Sequence, residues 1–270
     1  MGADILLRER RGKVGVLVLN RPEKANALSL ELIAELRTAL AQMASDDSIR
    51  VLVLRGSGAR FFCAGFDIPS IPADFSEGAD ADAVLKSVYS RMPLPQLMAD
   101  LKNYPYPTIA MLNGAAIGAG FNLAMCCDLR IASDQVEMGI TPARLGLVYF
   151  PEGIKQVAEA LGTARSREVF FTGAIYGPAE VKNMGLVHQM VLASELENAT
   201  FQLAEQITEN APLSLKGMKK ILNMLGRGME LSESERREAE MLLAQSFCSH
   251  DLKEGIRSFL QKRKPEFRGR

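Results

Sequence analysis

The chain has 270 residues, 47% hydrophobic and 24% charged, the proportions of a folded globular protein with enough length for a sizeable core in one or two domains. Its 32 basic and 32 acidic residues balance to zero net charge, which argues against nucleic acid or an anionic membrane as partner, so any anion must be bound locally. Apolar runs long enough to span a bilayer, about 18 residues, do not occur, and Met1-Gly2-Ala3-Asp4 opens polar and acidic rather than as a basic leader; a soluble, cytoplasmic protein is expected.

Val14 to Leu19 and Val51 to Leu54 are short valine-rich runs that end at polar or glycine residues, the pattern of buried strands. Between them Leu32, Ile33, Leu36, Leu40 and Met43 repeat at helical spacing after Ser29, a possible N-cap. Asp74 to Asp82 reads as a surface loop, and four prolines between Met92 and Pro107 interrupt any long helix. A second cycle follows: Ile109 to Leu112 as a strand, a glycine-rich turn, a helix from about Ala119 to Cys127, and Leu129 to Ala132 as a strand. This alternation predicts an α/β layered fold. After Ser194 helical patterns dominate, with breaks at Asn210-Ala211-Pro212 and Gly226-Arg227-Gly228. We therefore divide the chain into an α/β core, 1–193, and a helical region, 194–270.

Several chemistries are absent from the pattern. Cys63, Cys126, Cys127 and Cys248 show no CxxC spacing and suggest packing thiols rather than disulfides or a metal site. Gly118-Ala119-Gly120 lacks the third glycine of a dinucleotide fingerprint, and neither a phosphate loop nor a G-x-S-x-G elbow is present. His188 lies in an apolar run and reads as a packed strand residue; His250, beside Asp251, reads as a helix cap.

Two glycine-containing turns remain, Phe61 to Ile68 and Asn113 to Gly120, each after a strand. Small residues there let backbone approach a ligand, and the second turn opens a helix whose first N–H groups are unpaired. Such a pair could stabilise the charge that develops on a thioester oxygen as an enolate forms, by roughly 3–4 kcal/mol per donor.

These turns resemble the crotonase (enoyl-CoA hydratase/isomerase) superfamily in order and spacing. Asn20 to Leu28 looks like its NRP…NAL opening, Cys63 to Ile68 like its AG-x-D segment, and Asn113 to Asp128 like its NG…G-x-G…CD block. Leu145-Gly146-Leu147, Phe171-Thr172-Gly173 and Phe259 to Lys264 resemble its later motifs. The resemblance implies a spiral of ββα units with a helical C-terminal oligomerisation part, a homotrimer or hexamer, and an acyl-CoA thioester substrate. Coenzyme A enters as part of that substrate, with no separate cofactor.

Carried over residue by residue, the resemblance makes Ala64 and Ala119 the two oxyanion N–H donors. Lys24, Ala25 and Ala27 then embrace the CoA nucleotide, Phe66, Asp67 and Ile68 flank the adenine and pantetheine, and Gly118 joins the substrate-binding set. Phe259 and Lys262 match C-terminal positions that reach CoA, in some members on a neighbouring subunit.

The sequence also departs from the hydratase pattern. Where hydratases carry two glutamates this chain has Asn122 and Pro142, neither of which can act as a general acid or base. Thr141 to Tyr149 instead resembles the methylmalonyl-CoA decarboxylase branch, with Tyr149 after the Leu-Gly loop. That branch usually carries a histidine at the place of Phe66 and a glutamate at that of Asn122. A decarboxylase-like lyase acting on a malonyl-type thioester is the first reading. Isomerisation through Glu152 is the second, and a non-catalytic CoA-binding or scaffold protein the third.

Overall fold

The computed structural model describes residues 4–225 and 232–268; the Gly226-Arg227-Gly228 break and Met1 to Ala3 lie outside them. In chain order the strands and helices are Leu6–Arg11 (β1), Val14–Leu19 (β2), Leu30–Ala44 (α1), Val51–Gly56 (β3), Phe61–Cys63 (β4), Ala81–Arg91 (α2), Leu94–Lys102 (α3), Thr108–Leu112 (β5), Ala115–Ile117 (β6), Ala119–Cys126 (α4), Leu129–Ser133 (β7), Met138–Gly139 (β8), Pro151–Thr172 (α5), Ile175–Tyr176 (β9), Pro178–Asn183 (α6), Gln189–Val191 (β10), Leu196–Thr208 (α7), Pro212–Leu225 (α8), Glu233–Cys248 (α9) and His250–Leu260 (α10).

The strands form two sheets, and from β3 to β8 they alternate between them. One has the order β1-β2-β3-β5-β7-β10 and the other β4-β6-β8-β9. From β3 to β8 each turn of chain thus lays a strand on the large sheet, a strand on the small one, and then a helical segment, which is the expected ββα spiral. From β2 to β10 the large sheet is parallel, and β1 closes its edge as an antiparallel partner of β2.

Both faces of the large sheet are covered, which explains the continuous apolar runs. Val14, Val16, Val18, Val51, Val53, Ile109 and Ile131 pack with Leu196, Phe201 and Ala204 of α7. The alternate residues Leu17, Leu19, Leu52, Leu54, Ala110 and Leu112 face the main core. The first helix after residue 194 therefore lies directly on the valine face of the sheet.

Local signals account for the other element ends. Ser29 caps α1 by accepting from the Leu32 N–H at 3.2 Å. Asp80 caps α2, so the acidic stretch read as loop to Asp82 turns helical at Ala81. Pro93 and Pro95 stand at the start of α3, where a missing N–H costs nothing, and nine helical residues follow. The Arg130 N–H donates to Nδ1 of His188 at 3.1 Å, just ahead of β10. Cys63, Cys126 and Cys127 are buried thiols.

Candidate active site

The site is built where the loop 21–28, the turn after β4 and the turn before α4 meet. The loop is a short 3-10 turn, Pro22–Lys24, followed by Ala25 and Asn26 with φ of 52° and 54°. Asparagine tolerates this left-handed region, and the fully buried amide of Asn26 supports it. Its Oδ1 accepts from the Arg21 N–H at 3.0 Å, and its Nδ2 donates to the carbonyls of Phe61 at 2.8 Å and Ser57 at 3.0 Å. Arg21 adds a bond to the Ala27 carbonyl at 2.6 Å and lies 3.6 Å from Asp67.

The loop pairs directly with the turn after β4. Ala64 N–H donates to the Ala25 carbonyl at 3.0 Å, Leu28 N–H to that of Gly65 at 2.7 Å, and Asp67 N–H to that of Leu28 at 3.1 Å. These bonds correct the sequence reading of Ala64. Its N–H is already engaged and serves to anchor the loop. Between the bonds made through Gly65 and Asp67, Phe66 forms a parallel bridge to Leu28. In such backbone the N–H of the intervening residue points away from the partner segment. Among the described residues the N–H of Phe66 has no acceptor, and neither does that of Ala119.

Close glycine contacts join the two turns. Gly65 has φ of +99°, and a Cβ there would stand 2.8 Å from the Ile117 carbonyl oxygen and 3.3 Å from the Ala119 nitrogen. A Cβ on Gly120 would collide with the Cys63 carbonyl. The unpaired N–H groups of Phe66 and Ala119 therefore stand in one small region, the second carrying the positive end of α4. Gly118, with φ of +57°, opens onto free space. The N–H groups left without an acceptor where the two turns meet are thus those of Phe66 and Ala119. Sequence reading had given Phe66 only a contact with CoA, because nothing in the residue types reveals which peptide group pairs with the loop.

Asn122 and Tyr149 meet over Gly153, where a Cβ would come 2.5 Å from Cε1 of Tyr149 and 3.4 Å from Nδ2 of Asn122. Asn122 is 1% exposed. Burial holds the Tyr149 hydroxyl well above its ordinary pKa, with the sulfurs of Cys126 and Cys63 acting in the same direction, so it is a protonated donor. Burial also pushes the Cys63 thiol up to about 12, so that thiol is no nucleophile near neutral pH. Pro142 is buried, and lines with Tyr149, Leu147, Ile154 and Phe170 an apolar cavity of about 390 Å³.

Glu152 turns to other partners. Its Oε1 lies 3.7 Å from Arg236 of α9, and its Oε2 is buried with no hydrogen-bond partner among the described residues. Burial first, and the Glu152 charge second, raise the pKa of Tyr89 on α2.

A second cavity, of about 310 Å³, lies beyond the turns and is lined by Ile68, Ile117, Arg144, Phe259 and Arg263 among others. It brings Ile68 and Phe259 together within one chain. The helix carrying Phe259 is seated on the Leu-Gly loop, for a Cβ on Gly255 would meet the Leu145 carbonyl at 2.5 Å. Lys24 and Lys262 are exposed, Lys262 with φ of 53° beyond the end of α10.

The sequence profile of the enoyl-CoA hydratase/isomerase family matches residues 9–270. The chain belongs to this family. Among curated relatives of this hydratase/isomerase-family chain, enoyl-CoA hydratase domain-containing protein 2, mitochondrial, of Mus musculus is 34% identical over 259 residues, 94% of this chain and 84% of the mouse protein. Methylmalonyl-CoA decarboxylase of Escherichia coli (strain K12) is 32% identical over 258 residues, 95% of each chain. Among solved structures, a methylmalonyl-CoA decarboxylase in complex with 2-nitronate-propionyl-CoA superposes with a TM-score of 0.89 at 30% identity, covering 100% of both chains. The fold is that of the crotonase superfamily.

Proposed function

We propose that the protein is an acyl-CoA lyase that decarboxylates a malonyl-type thioester, its enolate oxygen held by the N–H groups of Phe66 and Ala119. The observation that carries this reading is the identity and packing of the side chains that follow the second turn. Asn122 and Pro142 occupy the two places where hydratases carry glutamates, and the hydroxyl-bearing Tyr149 packs over Gly153 beside Asn122.

Loss of CO2 from the carbon next to a thioester leaves its electron pair on the enolate without removal of a proton, so oxyanion donors suffice for the bond cleavage. Tyr149, kept protonated by burial, is suited to hold the departing carboxylate. The cavity between Ile68 and Phe259 is suited to the pantetheine arm, with Lys24, Ala25 and Ala27 on the nucleotide side. The similarity to methylmalonyl-CoA decarboxylase, including a structure with a CoA thioester analogue, supports the same reading.

Incubation with malonyl-, methylmalonyl- and crotonyl-CoA, with CO2 and product masses measured, tests it. CO2 release with formation of the matching saturated thioester is expected. Turnover of crotonyl-CoA alone would overturn it.

One observation favours a second reading. The carboxylate of Glu152, with its Oε2 buried beside Tyr89, is a base that could move a proton in double-bond isomerisation. For assembly we propose a cytoplasmic homotrimer or hexamer. The exposed Leu213, Ile221, Leu222 and Leu225 of α8 offer an apolar face for it, and light scattering at micromolar concentration checks the mass.

A further inference from the structure

We propose that the cavity between α8 and the segment joining α3 to β5 is a second ligand site, one that takes a small organic phosphomonoester. The cavity has a volume of about 340 Å³ and is lined by Lys216, Lys219, Lys220, Asn103 and Asn223, and no described carboxylate lines it. Its volume lies at the lower end of small-molecule sites. None of these residues belongs to the loop 21–28, the two turns, the Leu-Gly loop or α10, so the assignment stands apart from the acyl-CoA reading.

The three lysines differ in what already holds them. Lys219 is 6% exposed, and its ammonium donates to Asp128 at 2.7 Å and to the Tyr106 carbonyl at 3.0 Å. An ammonium has three N–H donors, and the third has no acceptor among the described residues. Leaving a donor on a buried cation unpaired is costly; Lys219 lines the cavity, and a ligand oxygen there supplies the acceptor. Lys216 donates to Asp47 at 2.9 Å and stands 4.4 Å over the Tyr106 ring. Lys220 has no ionic or hydrogen-bonding partner among the described residues.

Asp47 and Asp128 thus offset two of the three positive charges, and one remains. The Asp47 side chain is 85% exposed, so water screens its hold on Lys216. A phosphomonoester carries three acceptor oxygens and about two negative charges, enough for all three ammonium groups, whereas a carboxylate has only two oxygens. The Asn223 amide spends one N–H on the Lys102 carbonyl at 3.0 Å and keeps a second as a further donor. Tyr104, Pro105 and Met224 complete the wall and offer apolar surface to the group esterified to the phosphate.

Calorimetry at constant ionic strength compares phenyl phosphate with benzoate on the wild type, Lys216→Gln, Lys220→Gln and Lys24→Gln, the last in the loop that the sequence assigns to the CoA nucleotide. The wild type is expected to bind phenyl phosphate with a Kd of about 1 mM or below, at least about 10-fold more tightly than benzoate. Lys216→Gln and Lys220→Gln should each weaken phenyl phosphate about 5-fold or more, and Lys24→Gln should not. No saturable binding by about 10 mM phenyl phosphate, equal affinity for benzoate, or unchanged affinity in Lys220→Gln overturns the proposal. So does a loss in Lys24→Gln as large as that in Lys220→Gln, which would place the phosphate in the nucleotide loop. Lys220 is exposed and unpaired among the described residues, so its variant is expected to fold and is decisive even where Lys216→Gln is destabilised.

Discussion

The N–H of Ala64 donates to the carbonyl of Ala25 at 3.0 Å. This one bond ties the loop 21–28 to the turn after β4 and removes Ala64 from the set of free donors. It leaves the N–H of Phe66, two residues on, without an acceptor among the described residues, as is that of Ala119, and these two are the donors of the proposed oxyanion site.

Ala119→Pro tests the donor pair. Position 119 opens α4, where proline is well accommodated, so the substitution deletes the N–H with little cost to the helix. Turnover should fall about 100- to 1000-fold, as for loss of an oxyanion donor. A folded Ala119→Pro with wild-type kcat would show that the donor lies elsewhere.

Tyr149 and Glu152 separate the two reactions. Tyr149→Phe should lower turnover of a malonyl-type thioester about 10- to 1000-fold, equivalent to roughly 1.4–4 kcal/mol, with Glu152→Gln near wild type. An isomerase that uses Glu152 would reverse this order, since the amide accepts no proton. Steady-state kinetics on methylmalonyl-CoA and a 3-enoyl-CoA read both outcomes.

Gly65→Ala should separate backbone strain from steric contact. At φ of +99°, with the Ile117 carbonyl 2.8 Å from the new Cβ, the change should cost about 1–3 kcal/mol and spread the two turns. Gly12, at φ of +58° with open space around it, supplies a control with left-handed strain alone, about 1 kcal/mol. Denaturant unfolding measures both, and only Gly65→Ala should lose activity beyond its loss of stability.

Acid should loosen the C-terminal segment. Glu254 accepts from Arg263 at 2.6 and 3.0 Å and from the Glu266 N–H at 3.2 Å, and these bonds, Arg263 first, hold its carboxyl down at about 2 from an ordinary 4.5. A depressed carboxyl contributes stability that is complete above 4.5 and disappears as pH falls toward 2. Arg263 and Pro265 line the cavity with Phe259, so the same protonation opens that wall. Unfolding free energy followed from pH 5 to 2 should have a shallower slope in Glu254→Gln than in the wild type. Identical slopes would remove Glu254 from this role.

Local sequence patterns determined much of this protein. The valine runs of β2 and β3 fixed buried strands, Ser29 fixed the start of α1, and the spacing of the two glycine turns identified the superfamily and brought Ala119, Phe66 and Tyr149 into consideration. β1, Leu-Leu-Arg-Glu-Arg-Arg, escaped notice because an edge strand needs only one buried face, and its charged residues look like surface of any kind. Tertiary structure alone decided which peptide N–H is free. Ala64 and Phe66 are both backbone donors in one short turn, and only pairing with Ala25 and Leu28 sets which points toward Ala119. It also decided the direction of the Asn122 amide, whose nitrogen donates to Gly153 and Gln156. Both lie far along the chain and on another helix, and a hydrogen bond between packed helices leaves no periodic trace in sequence.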